Sequence, residues 1–225
     1  MVLWLPRCYL FDHLQYKTES KAHGGQAQDS AKRMNASKRV AIVTGAGTGL
    51  GRAYALELAA RGMRVVVNNR RRQLDADGRS SAERVVAEIR SSGGEAVASE
   101  IDVCDAQSGT QMLEQALQAW GRLDAVVANA GVEQHQAFHR ISLEDFRGIF
   151  DVNFFGTLNV VHAAYAHLRS QGHGRIVVST SSAGLHGLHG LTSYAASKAA
   201  LIGLMRSIAG EGKSRDVLCN AIAPY

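Results

Sequence analysis

A tyrosine and a lysine four residues apart, with serines upstream, are the part of this chain best suited to chemistry: Ser181-Ser182, then Tyr194-Ala195-Ala196-Ser197-Lys198. If residues 194–198 are helical, Tyr194 and Lys198 share one face. They then stand about 6 Å apart along the axis, within reach of two long side chains. The pairing makes a weak acid useful. A free phenol titrates near about 10, whereas a general acid or base works best near the operating pH. A shift of roughly three units requires about 4 kcal/mol. A cation about 4 Å away supplies on the order of 4 kcal/mol at an effective dielectric of about 20. One lysine therefore suffices, unless desolvation of the phenolate takes part of it back. By itself Tyr-x-x-x-Lys arises by chance on any amphipathic helix, so its meaning depends on what precedes it.

Residues 39–51 read Arg-Val-Ala-Ile-Val-Thr-Gly-Ala-Gly-Thr-Gly-Leu-Gly. An apolar run, Val40 to Val43, leads into a glycine-dense turn, and a helical pattern begins near Gly49. Strand, turn and helix in that order form the setting of a dinucleotide fingerprint. Backbone N–H groups at the helix start, free of side chains, can approach a pyrophosphate closely. The spacing, Thr44-Gly45-x-x-x-Gly49-x-Gly51, differs from the usual Gly-x-Gly-x-x-Gly, and an ordinary tight turn is the bland alternative.

Further along come Asn129-Ala130-Gly131, then Asn153, then Ser181, Tyr194 and Lys198. In this order the set resembles the short-chain dehydrogenase/reductase family, from about Arg39 to Pro224. Several segments look closest to the (3R)-hydroxyacyl-CoA dehydrogenase part of multifunctional β-oxidation enzymes. They are Gly49-Leu-Gly-Arg-Ala-Tyr-Ala-Leu, Val65-Val-Val-Asn, Gly174-Arg-Ile-Val-Val-Ser and Cys219-Asn-Ala-Ile-Ala-Pro224.

The resemblance implies a role for each matched position. Thr44, Gly45, Gly49, Leu50 and Gly51 would form the cofactor loop. Asn69 falls where NAD-using relatives carry an acid that binds the ribose and repels a 2′-phosphate. Here that position is neutral and Arg70 follows at once, which favours NADP(H) over NAD(H), since arginine suits phosphate. A solvated loop run, Arg70 to Arg72, is the alternative. Asp102 would contact the adenine amino group, or simply cap the turn after its strand, and Val103 would flank the adenine. Asn129, Ala130 and Gly131 would line the cofactor, although many relatives carry asparagine where this chain has Ala128. Asn153 would hold a water behind Lys198 in a proton relay; its alternative is a helix kink with a locally satisfied amide. Ser181, rather than Ser182, matches the serine that polarises the substrate. Tyr194 would be the general acid/base, and Lys198 would lower its pKa and hold the nicotinamide ribose. No metal is implied: His186 and His189 lack a third ligand nearby in sequence and read as exposed loop residues.

The elements that must position these groups follow from hydrophobic patterning. Apolar, β-branched runs at about 39–44, 64–68, 95–101, 124–128, 174–180 and 216–222 alternate with helical patterns. Those patterns span about 50–61, 80–92, 107–120, 143–170 with a break, and 192–210. The alternation predicts an α/β fold with a parallel sheet covered on both faces. The resemblance makes it a Rossmann-like, doubly wound sheet. Relatives continue past the position of Tyr225, so the expectation is a sheet and substrate lid that lack their last pieces.

Composition narrows the function classes. The 225 residues are 46% hydrophobic, enough for one sizeable core. The formal charge is +5, but residues 1–38 alone hold six Lys/Arg against three Asp/Glu. The remainder is nearly balanced, with no basic stripe interleaved with aromatics, which argues against nucleic-acid binding. Cys8, Cys104 and Cys219 are widely spaced and form no Cys-x-x-Cys, which fits a reducing, cytoplasmic setting. The apolar front, Met1 to Leu14, is broken by Pro6, Arg7 and Asp12 and is too short to span a bilayer. Residues 1–37 are expected to be a disordered or mis-start extension, and 38–225 an NAD(P)-binding Rossmann domain truncated at its end. The expected partners are a small carbonyl or alcohol substrate and further copies of the chain, as a homodimer or homotetramer. The alternative in another class is a non-catalytic nucleotide-binding protein.

Overall fold

The computed structural model of the chain describes residues 39–70 and 74–224. The expectation for residues 1–37, and the remainder of the Arg70–Arg72 run, lie outside the described residues. Six strands form one parallel sheet: β1 (Val40–Val43), β2 (Arg64–Asn68), β3 (Ala96–Ser99), β4 (Ala125–Ala128), β5 (Gly174–Ser179) and β6 (Val217–Ile222). Their order across the sheet is β3-β2-β1-β4-β5-β6. Winding reverses between β1 and β4, the switch point beside which open α/β sheets bind ligands, outside the carboxyl ends of the strands.

Burial on both faces explains the continuous apolar runs. Every residue of β1 and β4 is buried. One face packs on α1 (Gly49–Ala60) and α2 (Ser81–Ser91) through Ala55, Leu58, Val85 and Ile89. The other packs on α3 (Ser108–Trp120), α5 (Gly156–Gln171) and α7 (Thr192–Gly212) through Met112, Val160, Leu168 and Leu201. A short α4 (Leu143–Phe150) precedes α5, and α6 (Ser182–His186) precedes α7.

Local signals set the ends of these elements. Ser80 caps α2 in a reciprocal capping box with Glu83. Gly121 and Gly172 end α3 and α5 with φ of 72° and 76°, the left-handed conformation glycine adopts most readily. Asp124 pins β1 to β4: its buried carboxylate accepts from the Val40 N–H at 2.8 Å and from the Arg122 guanidinium at 2.6 Å.

The expected elements are all present, and the break predicted in the long fourth helix has a definite form. Between α4 and α5, Asp151–Phe155 make one π-helical turn with buried Asn153 at its centre. An asparagine, poor in an α-helix interior, sits where the helix widens. The sequence reading left α6 in a loop, although Ser181 caps it and Gly187, at φ 73°, ends it. Among the described residues no helix is long and apolar enough to cross a membrane.

Candidate active site

Two turns meet across the switch point. The Thr44 hydroxyl accepts from the Asn129 and Ala130 N–H groups, both at 3.0 Å, and the Thr44 carbonyl accepts from Asn129 Nδ2 at 3.2 Å. The β1–α1 turn is thereby fixed to Asn129-Ala130-Gly131. Gly45 has φ 62°, and a Cβ there would lie 2.8 Å from Ala130 Cα. A Cβ at Gly51 would run into the Gly45 carbonyl and lie 2.5 Å from Asn129 Nδ2. The turn is a cradle that side chains would fill. It delivers the start of α1, whose first turn holds no acid to satisfy its N–H groups.

Over this cradle lies a cavity of about 510 Å³. Gly45, Leu50, Gly51, Asn69, Arg70, Asp102, Val103, Asn129, Ala130 and Gly131 all line it. Thr44 and Gly49 do not. Thr44 acts from behind by holding the two turns together, and Gly49 supplies a φ of 54° at the helix start.

Asn69 and Arg70 sit at the end of the cavity far from Tyr194. Asn69 Nδ2 donates to the Ser81 hydroxyl at 2.7 Å, which draws the start of α2 to the rim. Arg70 Nη1 bonds Asp102 Oδ2 at 3.0 Å, both side chains being partly exposed. Burial pushes the Asp102 carboxyl up, but the Cys104 N–H and the Arg70 guanidinium outweigh it and hold the group below its ordinary value. The two residues expected to read separate parts of a nucleotide are therefore paired with each other. Beside Asp102, burial first and then that carboxylate push the Cys104 thiol up to about 11, so it is no ready nucleophile.

A second cavity, of about 410 Å³, adjoins the first and shares Leu50, Asn129, Gly131 and Val132 with it. Ser181, Tyr194 and Lys198 line it together. Two hydrogen bonds bind the end of β5 to α7, and a close approach binds α6 to it. Lys198 Nζ donates to the Ser179 carbonyl at 2.8 Å, and the Thr180 hydroxyl donates to the Lys198 carbonyl at 2.7 Å. At Gly184, α6 packs so closely on α7 that a Cβ would lie 2.9 Å from the Ala199 nitrogen. Ser181 and Lys198 are thus held in one place from two directions. Lys198 Nζ lies 5.7 Å from the Tyr194 ring centre, both residues being on α7. Burial pulls the Lys198 ammonium down to about 8. Ser182 lines the same cavity, and Ser181 additionally caps α6 by accepting from the Ala183 N–H at 3.2 Å.

Asn153 reaches this centre from the π turn. Its Oδ1 accepts from the Val132 N–H at 2.8 Å, and its Nδ2 donates to the Val132 carbonyl and to the Ser197 hydroxyl, both at 3.0 Å. Ser197 in turn donates to the Tyr194 carbonyl at 2.7 Å. A methyl at Gly131 would sit 3.1 Å from Lys198 Nζ and 3.2 Å from Asn153 Oδ1, so these three residues converge on one point. The side-chain amide of Asn153 is locally satisfied, and it fixes both the Gly131-Val132-Glu133 strip and the helix bearing Tyr194.

Some lining residues were not foreseen. Ser81 and Arg84 border the first cavity, and Arg84 lies 3.8 Å from its ion partner Asp75. Ser81 follows the Ser80 cap of α2, and only the fold brings it to Asn69. Asn68 borders the same cavity and ties β2 to the end of β3 by donating to the Ile101 carbonyl at 2.9 Å. Glu133 borders the second cavity. His186 and His189 are exposed, and no group of three metal-ligating side chains occurs among the described residues.

A bare helix start, a glycine cradle, a polar and cationic end, and a buried ammonium beside a phenol suit a dinucleotide laid along the joined cavities. Comparison with known proteins agrees. A family model described as short chain dehydrogenase matches residues 39–225. "Peroxisomal multifunctional enzyme type 2" of Mus musculus is 43% identical over 188 residues, covering 83% of this chain and 25% of that protein. "3-oxoacyl-(acyl-carrier-protein) reductase" of Synechocystis sp. is 40% identical over 186 residues, covering 83% of this chain and 73% of that protein. A crystal structure of a short chain dehydrogenase from Mycobacterium avium superposes with a TM-score of 0.77 at 39% identity, covering 83% of this chain and 69% of that one. The chain therefore spans only a quarter of the length of the mouse relative.

Proposed function

The chain belongs to the short-chain dehydrogenase/reductase family of NAD(P)-dependent oxidoreductases, and from that premise we propose that it interconverts a 3-oxoacyl and a 3-hydroxyacyl thioester with NADP(H). The single observation that carries the chemistry is the shared cavity of Ser181, Tyr194 and Lys198, with the lysine ammonium 5.7 Å from the phenol ring. The acyl class is supported by the 3-oxoacyl reductase named among the relatives.

A nicotinamide dinucleotide held by the two cavities would supply the hydride for reduction or accept it in oxidation. Thr44, Gly45, Gly49, Leu50 and Gly51 form its phosphate cradle, and Asn69, Arg70, Asp102 and Val103 receive the adenosine half. Asn129, Ala130 and Gly131 line its path towards Lys198. NADP(H) is the preferred form because Asn69 is neutral and two guanidiniums, Arg70 and Arg84, border that end of the cavity.

At the substrate, Ser181 and Tyr194 hydrogen-bond the carbonyl oxygen. As the carbonyl carbon gains the hydride, the Tyr194 hydroxyl gives its proton to that oxygen; oxidation runs the same transfer backwards. The positive charge of Lys198 stabilises the phenolate left behind. Asn153, with water, completes the path by which the proton is replaced. The reading extends to a homodimer or homotetramer in the cytoplasm, checked by light scattering and fractionation.

The decisive experiment adds NADPH and acetoacetyl-CoA to the purified protein and follows nicotinamide absorbance. Turnover is expected, and Tyr194→Phe should lower kcat by about 10² to 10⁴ while cofactor binding persists. Cofactor binding without turnover, unchanged by that substitution, would mean a nucleotide-binding protein instead.

A further inference from the structure

Among the described residues lining the first cavity, Asp102 is the one acid, set against two bases, Arg70 and Arg84. Its Oδ1 accepts from the Cys104 N–H and its Oδ2 from Arg70 Nη1, both at 3.0 Å. The Asp102 carbonyl accepts from the Asp105 N–H at 3.1 Å, which closes the turn. The main chains beneath the pair are tied as well: the Asn69 N–H donates to the Ser99 carbonyl at 3.0 Å, and Asn68 Nδ2 to the Ile101 carbonyl at 2.9 Å. Asp102 is thus fixed within its own turn, whereas Arg70 reaches it on a long side chain. When the pair opens, the arginine moves and the carboxylate stays. It opens readily, since the side chains are 37% and 41% exposed and an ion pair so open to water is worth roughly a five-fold factor at most. Burial raises the Asp102 carboxyl, but the Cys104 N–H and Arg70 hold it below its ordinary value, so the group is an anion at neutral pH.

A fixed anion here acts differently on the two nicotinamide dinucleotides. They differ by a ribose 2′-phosphate, which carries about 1.5 to 2 negative charges at pH 7. That phosphate seeks Arg70 and meets a carboxylate already bonded to it. Two anions sharing one guanidinium lie about 6 Å apart, each about 3 Å from a nitrogen. We propose that Asp102 is a specificity-determining residue that opposes the 2′-phosphate, by competing for Arg70 and by its own charge, so that the chain separates NADP(H) from NAD(H) less sharply than its arginines alone would. The rest of the nucleotide is common to both cofactors and meets the carboxylate equally. This rests on the reading of the first cavity as the adenosine site, and adds to it a residue that works against the preferred cofactor.

The test titrates NADP+ and NAD+ calorimetrically, without substrate, into wild type, Asp102→Asn and Asp102→Glu. The readout is the Kd for NAD+ divided by that for NADP+, in which contacts common to the two nucleotides cancel. Asparagine keeps an acceptor for the Cys104 N–H and loses the charge; glutamate keeps the charge. One unit charge at about 6 Å and an effective dielectric of about 40 corresponds to roughly a ten-fold change in that ratio. The ratio should exceed one in wild type, rise about ten-fold in Asp102→Asn and stay within about two-fold of wild type in Asp102→Glu. An unchanged or lower ratio in Asp102→Asn, or an equal rise in Asp102→Glu, overturns the inference and leaves the preference for NADP(H) intact. A wild-type ratio below one that Asp102→Asn raises about ten-fold upholds the inference and overturns that preference. Binding of neither dinucleotide to any of the three proteins overturns both.

Discussion

Lys198 donates to the Ser179 carbonyl at 2.8 Å while its ammonium stands 5.7 Å from the Tyr194 ring centre. The same burial that places it there lowers its pKa from 10.5 to about 8. On the proposed mechanism, half of the Lys198 charge is lost near pH 8, and kcat/KM for reduction should fall above that pH. Stability has the opposite sign. Folding favours the uncharged amine, so unfolding takes up a proton between about pH 8 and 10.5, and stability rises across that window. Relative to Lys198→Met, wild type should gain about 3 kcal/mol from pH 7 to 10.5. Paired chemical-denaturation curves measure this; a difference between the two proteins that does not change with pH would contradict a buried, charged lysine.

Gly51 and Gly49 answer to different physics. At Gly51 a Cβ meets the Gly45 carbonyl and Asn129 Nδ2, so Gly51→Ala must push the two turns apart. At Gly49 nothing lies within 4 Å, and alanine there bears only the strain of φ 54°, about 1 to 2 kcal/mol. In dinucleotide titrations Gly51→Ala should abolish measurable binding, while Gly49→Ala should weaken it by roughly thirty-fold at most. Equal losses in the two variants would show that conformation alone, and not close approach, shapes this cradle.

Much of this was readable from the chain because the signals are local. The run Val40–Val43 and the turn glycines each act over a few residues, and the strands and helices fell where expected. Tyr194 and Lys198 were legible for the same reason, being one helical turn apart. The π turn at Asp151–Phe155 was only half legible: Asn153 marked a fault in the helix, but not the form it would take. Arg84 and Glu133 gave no signal, since one is an ordinary surface position on α2 and the other lies in an irregular stretch. Only the folded sheet brings them to the two cavities. The Arg70–Asp102 pair, 32 residues apart in sequence, was invisible for that reason too.

Arg70 and Arg84 border the first cavity in unequal states. Arg70 is engaged by Asp102 at 3.0 Å, whereas Asp75 stands 3.8 Å from Arg84. A ribose 2′-phosphate would draw on both, since each guanidinium offers charge-assisted hydrogen bonds. Arg84→Gln and Arg70→Gln should each raise the KM for NADPH about ten-fold, the value of one such bond, and leave the KM for NADH within two-fold. Arg70→Gln should show the larger effect, because it also leaves the Asp102 carboxylate unpaired in the cavity beside the phosphate. Steady-state kinetics with both cofactors decide it. Parallel losses for NADPH and NADH would mean that the arginines hold the protein together and do not read the phosphate.

Asp124 is the group on which the switch point depends mechanically. It is 3% exposed; its Oδ2 accepts from the Val40 N–H and from Arg122 Nε, and its Oδ1 accepts from Arg122 Nη2. The Arg122 guanidinium holds its charge more firmly for that contact. Asp124→Ala would leave a buried N–H and a cation without their acceptor at the base of the two strands that carry the cofactor turn. The expected cost is about 3 kcal/mol, the lower end for breaking a buried pair, because Arg122 itself keeps some access to solvent. For a domain of this size that is roughly a 10 °C drop in Tm. Asp124→Asn keeps an acceptor for Val40 and should recover about half of the loss. Thermal melts of the three proteins give the order directly, and an alanine variant that melts with wild type would show that the β1–β4 junction is held by its apolar residues alone.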